Sequence, residues 1–212
     1  MKKMMFVLLA LLVLPVMLSA EGLKRGYVNM DTLFNEYYKT VNENISFEQR
    51  QRTITEGFQL LRQEMENTMT EYKKAAGEAN NELLSNEARN AAVERARLLE
   101  ERLQQKQQEI MKYREESMRE IQSRQQKVTD TLVEELLVMV RKYAADNNYD
   151  EIVEVSGRSL NRVQVLLVYP QKNEITAEIV KISNAGHEKE KAEAQAKLQA
   201  LREKLQNAPA AK

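Results

Sequence analysis

The sequence predicts a mainly α-helical protein in which a long antiparallel helical hairpin is inserted between the strands of a small β body. Three observations support this fold class. Residues 47–143 contain no proline and are dominated by Glu, Gln, Arg, Lys, Ala, Leu and Met, which favour helix. One short β-like run precedes this region, and two follow it. Because a single short strand cannot satisfy its own backbone groups, we expect the remote runs to pair with the first.

The β body is predicted from three runs and two short helices. A strand at Gly26–Met30 leads into a helix that Asp31 is expected to cap. The later runs are 149–156 and 161–170, and Asn173 is expected to cap the helix that follows them. Apolar residues alternate along the last run with the period of a strand, at Val163, Val165, Leu167 and Tyr169. Further apolar residues between them indicate a strand that is covered on both faces.

The central region has the apolar spacing of a coiled coil, with intervals of three and four residues. The stretch GEANNELLSNEARN at 77–90 is rich in turn and capping residues, and the apolar stripe changes phase across it. It predicts a turn near 78–86, with Ser85 or Asn86 capping the second helix. Each arm of such a hairpin would reach about 50–70 Å. A single uninterrupted rod is the alternative.

Residues 1–20, MKKMMFVLLALLVLPVMLSA, have the three parts of a secretory signal peptide: a basic start, an apolar segment and small residues before a cleavage site. A membrane anchor is the alternative, but the apolar run is short for a span. The sequence therefore predicts bacterial export, cleavage, and no stable membrane insertion of the mature protein.

Composition argues against several classes of function. The chain has 32 basic and 32 acidic residues, and loss of Lys2 and Lys3 leaves a net charge of −2. A neutral exported protein is a poor candidate for nucleic-acid binding. It has no cysteine, one histidine and no phosphate-binding loop, so neither disulfides nor a metal site is expected. We predict no enzymatic activity, no cofactor and no small-molecule substrate.

The sequence divides into five parts. These are the signal peptide (1–20), the first part of the β body with a short helix (21–46), the hairpin arm (47–143), the second part of the body with a short helix (144–184), and a charged tail (185–212). The tail is interpreted as weakly helical and solvated, although a helix would align Ala194, Leu198, Leu201 and Leu205 on one face. A body this small cannot bury a sufficient core, so we expect an oligomer.

Three stretches, in order, resemble the Skp/OmpH family of periplasmic chaperones: GYVNMDTLF at 26–34, YDEIVEVS at 149–156 and VYPQKNEITAEIVKISN at 168–184. The resemblance implies a jellyfish-like homotrimer, in which the β segments of three chains form one body and three helical arms enclose a cavity. It also implies an ATP-independent periplasmic holdase that binds unfolded outer-membrane proteins and prevents their aggregation. The alternative is a structural coiled-coil spacer or adaptor of the periplasm.

Two sets of candidate site residues follow from this resemblance and from the apolar pattern. The trimer body is expected to use Tyr27, Val28, Leu33, Val163, Val165 and Leu167. Client contacts are expected from Leu83 and Leu84 at the hairpin tip and from Met69, Met111 and Met118 on the arms, because methionine adapts to varied surfaces. Packing of helix on helix is the alternative for arm methionines and tyrosines, and it is favoured for Met65, Tyr72 and Tyr113.

The chain departs from the resembled family in its charge. Members of that family are typically strongly basic, whereas this chain is neutral. The binding of lipopolysaccharide or of anionic membranes is therefore not inferred for it.

Overall fold

The computed structural model describes residues 22–206. The predicted signal peptide lies outside this range, as do residues 207–212. The described elements are, in order, β1 (Arg25–Val28), α1 (Met30–Glu36), α2 (Tyr38–Ala79), α3 (Asn86–Asp146), β2 (Glu151–Glu154), a 3-10 turn (Gln171–Asn173), α4 (Thr176–Ser183) and α5 (Glu188–Gln206).

Strands β1 and β2 form a parallel pair although α1, α2 and α3 separate them in the sequence. Tyr27 is the partner of Val153, and Val28 is the partner of Glu154. Beyond the pair, the amide of Val155 donates to the carbonyl of Val28 at 2.9 Å. The expectation that the first strand finds its partner about 120 residues later is therefore confirmed.

Helices α2 and α3 contact each other along most of α2. Ion pairs join them at intervals, among them Glu78 with Arg95, Glu64 with Lys106, and Arg50 with Glu120. The α3 residue numbers rise as the α2 numbers fall, so the two helices run in opposite directions. With 42 and 61 residues, the helices are about 60 and 90 Å long.

The two long helices are separated by residues 80–85, and the start of α3 follows the prediction. Ser85 is the N-cap, and its Oγ accepts a hydrogen bond from the amide of Ala88 at 3.2 Å. At the other end of the connection, α2 ends at Ala79, one residue after Glu78, which pairs with Arg95 of α3. The turn therefore contains Leu83 and Leu84, both of which the sequence placed at the tip.

Two predicted helix caps are wrong. Helix α1 begins at Met30 rather than after Asp31, and its N-cap is Asn29, whose Oδ1 accepts from the amide of Thr32 at 2.9 Å. Asn29 is the better cap because β1 ends at Val28, one residue earlier. Asn173 lies in the 3-10 turn, so α4 begins only at Thr176, after Ile175.

The third predicted strand is not formed in the single chain. Residues 161–170 contain no strand and make one isolated bridge, between Arg158 and Gln164. The free edge of β1 is occupied instead by the segment that precedes α4, where the amide of Ile175 donates to the carbonyl of Tyr27 at 2.8 Å. Residues 161–170 therefore cannot pair with β1 on this edge.

The main core lies where β1, α1, α4 and the last turns of α3 meet. Its buried members are Val28, Leu33, Tyr37, Leu132, Leu136, Val140, Ile175 and Ile179. Because α3 is longer than α2, its final part passes beneath α1 and joins the body. One continuous helix therefore fixes the arm to the body.

The C-terminal residues differ from the favoured expectation of a solvated tail. They form α5, which packs against α2. Ala194 and Leu198 are buried in a second small cluster with Val41 and Ile45. The predicted apolar face of this segment is therefore used in packing, at Ala194, Leu198 and Leu201.

Candidate functional site

The arms expose large apolar side chains to solvent far from the core. Among the predicted contact residues, Leu83 is 94% exposed, Met111 is 67% exposed and Met118 is 62% exposed. Met69 is also exposed, whereas Leu84 is half-buried. Met111 and Met118 are two turns apart, so they share one face of α3.

The sequence reasoning missed further exposed residues on the arms, notably Leu60 and Leu98. Each belongs to a leucine doublet, Leu60-Leu61 and Leu98-Leu99. Neighbouring helical residues point about 100° apart, so only one member of a doublet can enter a narrow interhelical stripe. Leu99 is buried and Leu98 is exposed, as this geometry requires. The doublets were the signal that could have identified these residues.

The residues that we expected to pack helix on helix are half-buried between α2 and α3. They are Met65, Tyr72 and Tyr113. Tyr113 donates from its hydroxyl to the carbonyl of Ile54 on the facing helix at 3.4 Å. These side chains contribute to interhelical contact and offer less surface than Met111 or Met118.

A second apolar surface lies on the loop after β2. The amide of Ser159 donates to the carbonyl of Val163 at 2.8 Å, and the amide of Val165 donates to the carbonyl of Gly157 at 2.9 Å. Arg162 adopts a positive φ of 61° at the turn between them. The loop directs its apolar side chains into solvent, namely Leu160, Val163, Val165, Leu167 and Val168.

The six residues predicted for the trimer body fall into two groups. Tyr27, Val28 and Leu33 are buried within their own chain. Val163, Val165 and Leu167 are exposed, and Val165 is 74% exposed. Only the second group is therefore available on the surface of the single chain.

A buried polar contact fixes the junction of α1, α2 and α3, and sequence reasoning did not identify it. The hydroxyl of Tyr37, a residue that is 1% exposed, donates to Glu135 Oε2 at 2.9 Å, and Lys39 Nζ lies 2.7 Å from the same oxygen. Burial and the bond to Glu135 raise the pKa of Tyr37 to about 12. The hydrogen bond from Lys39 lowers the pKa of Glu135. The network links α1, α2 and α3 at the root of the arm.

The described residues contain no group of three His, Asp or Glu side chains arranged to hold a metal ion. Between residues 22 and 206, no helix combines the length and apolar character needed to cross a bilayer. The interhelical ion pairs are largely exposed, so they set the register of the helices more than they stabilise them.

Comparison with known proteins identifies the family. The model of the family described as Outer membrane protein (OmpH-like) matches residues 24–182, which include β1, β2, both long helices and nearly all of α4. A search of curated proteins found no match. The family is periplasmic and is associated with chaperones that bind unfolded outer-membrane proteins. The match spans most of the chain, and the protein is therefore a member of the OmpH-like family.

Proposed function

We propose that this protein is an ATP-independent periplasmic holdase. It binds unfolded outer-membrane proteins after export and prevents their aggregation. Such a client is an extended chain with alternating apolar residues and no fold that is stable in water. It needs shielding from other unfolded chains, and many weak apolar contacts are enough to provide this.

The observation that carries the proposal is the exposure of large apolar side chains along the arms. Leu83, Met111 and Met118 are each more than 60% exposed, and they lie outside both buried clusters. A helix pair that served only as a spacer would gain nothing from them, because exposed apolar side chains promote non-specific association. Methionine also adapts its flexible side chain to varied partners.

We further propose that the working form is a homotrimer whose arms surround the client. The exposed loop that contains Val163, Val165 and Leu167 supports this part of the proposal. Its apolar residues alternate as in a strand, but the chain offers no free position beside β1. A neighbouring copy would cover the exposed apolar side chains of this loop. Three copies packed in this way would bring their arms to one side of a common body.

The test is the aggregation of a urea-unfolded outer-membrane barrel after dilution, followed by light scattering. We expect suppression at one trimer per client. The variant Met111→Gln/Met118→Gln should suppress aggregation less well at equal concentration. The matched control is Val138→Gln/Ile182→Gln, which changes two exposed apolar residues close to the core and should behave as wild type.

Two results would count against the holdase. Absence of suppression by wild type at several-fold excess would favour the coiled-coil spacer. Equal loss of activity in the arm variant and in the control variant would show that the arm methionines have no special part in client binding.

A further inference from the structure

Helix α5 lies along the first part of α2 and runs in the same direction. The His187 ring, just before α5, stacks on Tyr38 with centroids 3.9 Å apart. Further along, Asn42 Nδ2 donates to Glu190 Oε1 at 2.7 Å, and Arg202 Nε lies 3.1 Å from Glu48 Oε1. These contacts place α5 over the root of the arm. The family match ends at residue 182, before α5 begins.

The start of α5 is firmly attached. Asn184, which is buried, accepts from the amide of Tyr38 at 2.8 Å and donates to the carbonyl of Glu36 at 3.1 Å. Gly186 then adopts a φ of +79°, which glycine tolerates best, and the chain turns into α5. The beginning of the helix is thus fixed to the α1–α2 junction.

The body of α5 is held much less firmly. Over its nineteen residues, Ala194 and Leu198 are the buried apolar side chains of the described set, with Leu201 partly buried beside them. The remaining contacts include ion pairs with exposed members, such as Arg202 with Glu48, which contribute little. Ordering a helix of this length for so few apolar contacts places α5 among the parts of a protein that open easily.

The surface beneath the middle of α5 is apolar. Val41 and Ile45 on α2 are buried in the cluster with Ala194 and Leu198. Undocking of α5 would expose both residues at the root of the arm. They would then extend the set of apolar side chains that the more distal part of the arm presents, such as Leu60.

We propose that the Val41–Ile45 face of α2 is an additional client-contact surface and that α5 is its built-in competitor. In the free protein, α5 covers this face with its own apolar side. An apolar segment of an unfolded outer-membrane protein displaces it on binding. The inference rests on the proposed holdase function and adds to it a site that the protein itself occupies when no client is present.

The test uses the full chain with Ala194→Glu/Leu198→Glu, which removes the apolar side of α5. The matched control is Ala196→Glu/Ala200→Glu, which adds the same two charges at the same spacing on the exposed side. We expect the first variant to bind an unfolded outer-membrane barrel about 5-fold more tightly than wild type, a modest coupling. The control should bind as wild type does.

Hydrogen exchange provides the second readout. In wild type, saturation with client should increase exchange in residues 188–206 while the amides at the start of α2 remain protected. Retention of α5 protection in the client complex would overturn the proposal. So would unchanged or weaker binding by Ala194→Glu/Leu198→Glu when its exchange shows that α5 has undocked.

The failure of this inference is distinguishable from failure of the proposed function. If wild type does not bind the barrel at all, the holdase function is wrong, and so is the proposed competition between α5 and the client. If wild type binds the barrel and α5 stays docked, only the competition is wrong.

Discussion

The ring of Tyr113 on α3 packs against the backbone of Gly57 on α2. Its Cζ lies 2.9 Å from the position that a Cβ at residue 57 would occupy, which is closer than carbon atoms tolerate. Gly57 therefore lets the two helices accommodate a large side chain between them. By contrast, a Cβ at Gly77, near the end of the same helix, would meet no atom within 4 Å.

The two glycines should respond differently to alanine. Gly77→Ala should raise the free energy of unfolding by roughly 0.5–1 kcal/mol, because alanine favours helix. Gly57→Ala should lose this gain or destabilise the protein, because Tyr113 has to move. Urea unfolding measures both values. In a Tyr113→Ala background the two substitutions should become equivalent, and a persistent difference would mean that Tyr113 is not the cause.

The Tyr37–Glu135 contact predicts a loss of stability at alkaline pH. The pKa of Tyr37 is raised from its ordinary 10.0 to about 12 in the folded protein. The raised pKa contributes to the free energy of unfolding, and this contribution is complete below pH 10 and is lost as the pH rises towards 12. The full contribution corresponds to about 2–3 kcal/mol. Urea unfolding at pH 9 and pH 11.5 measures the fall.

Two variants isolate the role of Tyr37 in this pH dependence. Tyr37→Phe should reduce the fall between the two pH values. Tyr72→Phe, which changes a half-buried tyrosine elsewhere on α2, should preserve it. An equal fall in wild type and Tyr37→Phe would assign the effect to other groups.

The exposed loop should determine assembly. Val165→Asp/Leu167→Asp should dissociate the proposed trimer, since a buried shared face does not tolerate unpaired carboxylates. Helical content should remain, because both residues are exposed in the single chain. Sedimentation velocity measures the mass and circular dichroism measures the helix content.

The control for assembly is Val93→Asp/Leu98→Asp, which places the same charges at exposed apolar positions on α3. It should retain the assembled mass. A trimer that persists in Val165→Asp/Leu167→Asp would remove the loop from the interface.

Salt should have little effect on client binding. The chain carries equal numbers of basic and acidic residues, so the proposed capture depends on apolar contact more than on long-range attraction. Affinity for an unfolded barrel, measured by fluorescence anisotropy, should change less than about threefold between 50 and 300 mM salt. A steep loss of affinity would show that charge drives capture.

Local signals in the sequence predicted much of the fold. The uninterrupted helical composition predicted α2 and α3, and the need of a short strand for a partner predicted the pairing of Tyr27 with a residue near 153. The run of turn residues limited the cap of α3 to Ser85 or Asn86, and Ser85 is the cap. These features depend on neighbours in the sequence or on backbone hydrogen bonding that every strand requires.

The wrong predictions for residues 161–170 and for the C-terminal tail have a common cause, which is competition between segments distant in the sequence. The alternation at 161–170 is that of a strand, but the segment before α4 takes the place beside β1. The tail has a composition typical of a solvated segment, but part of it packs against Val41 and Ile45 of α2. Neither outcome depends on the propensity of the segment itself, so periodicity could indicate an apolar face but could not identify the segment that packs against it.

The most direct test of the central claim is native mass spectrometry of the mature protein, alone and after dilution of an unfolded outer-membrane barrel into it. We predict a mass of three chains for the free protein, and a mass of three chains plus one barrel polypeptide for the complex. A single chain at micromolar concentration that forms no complex with the barrel would contradict the account.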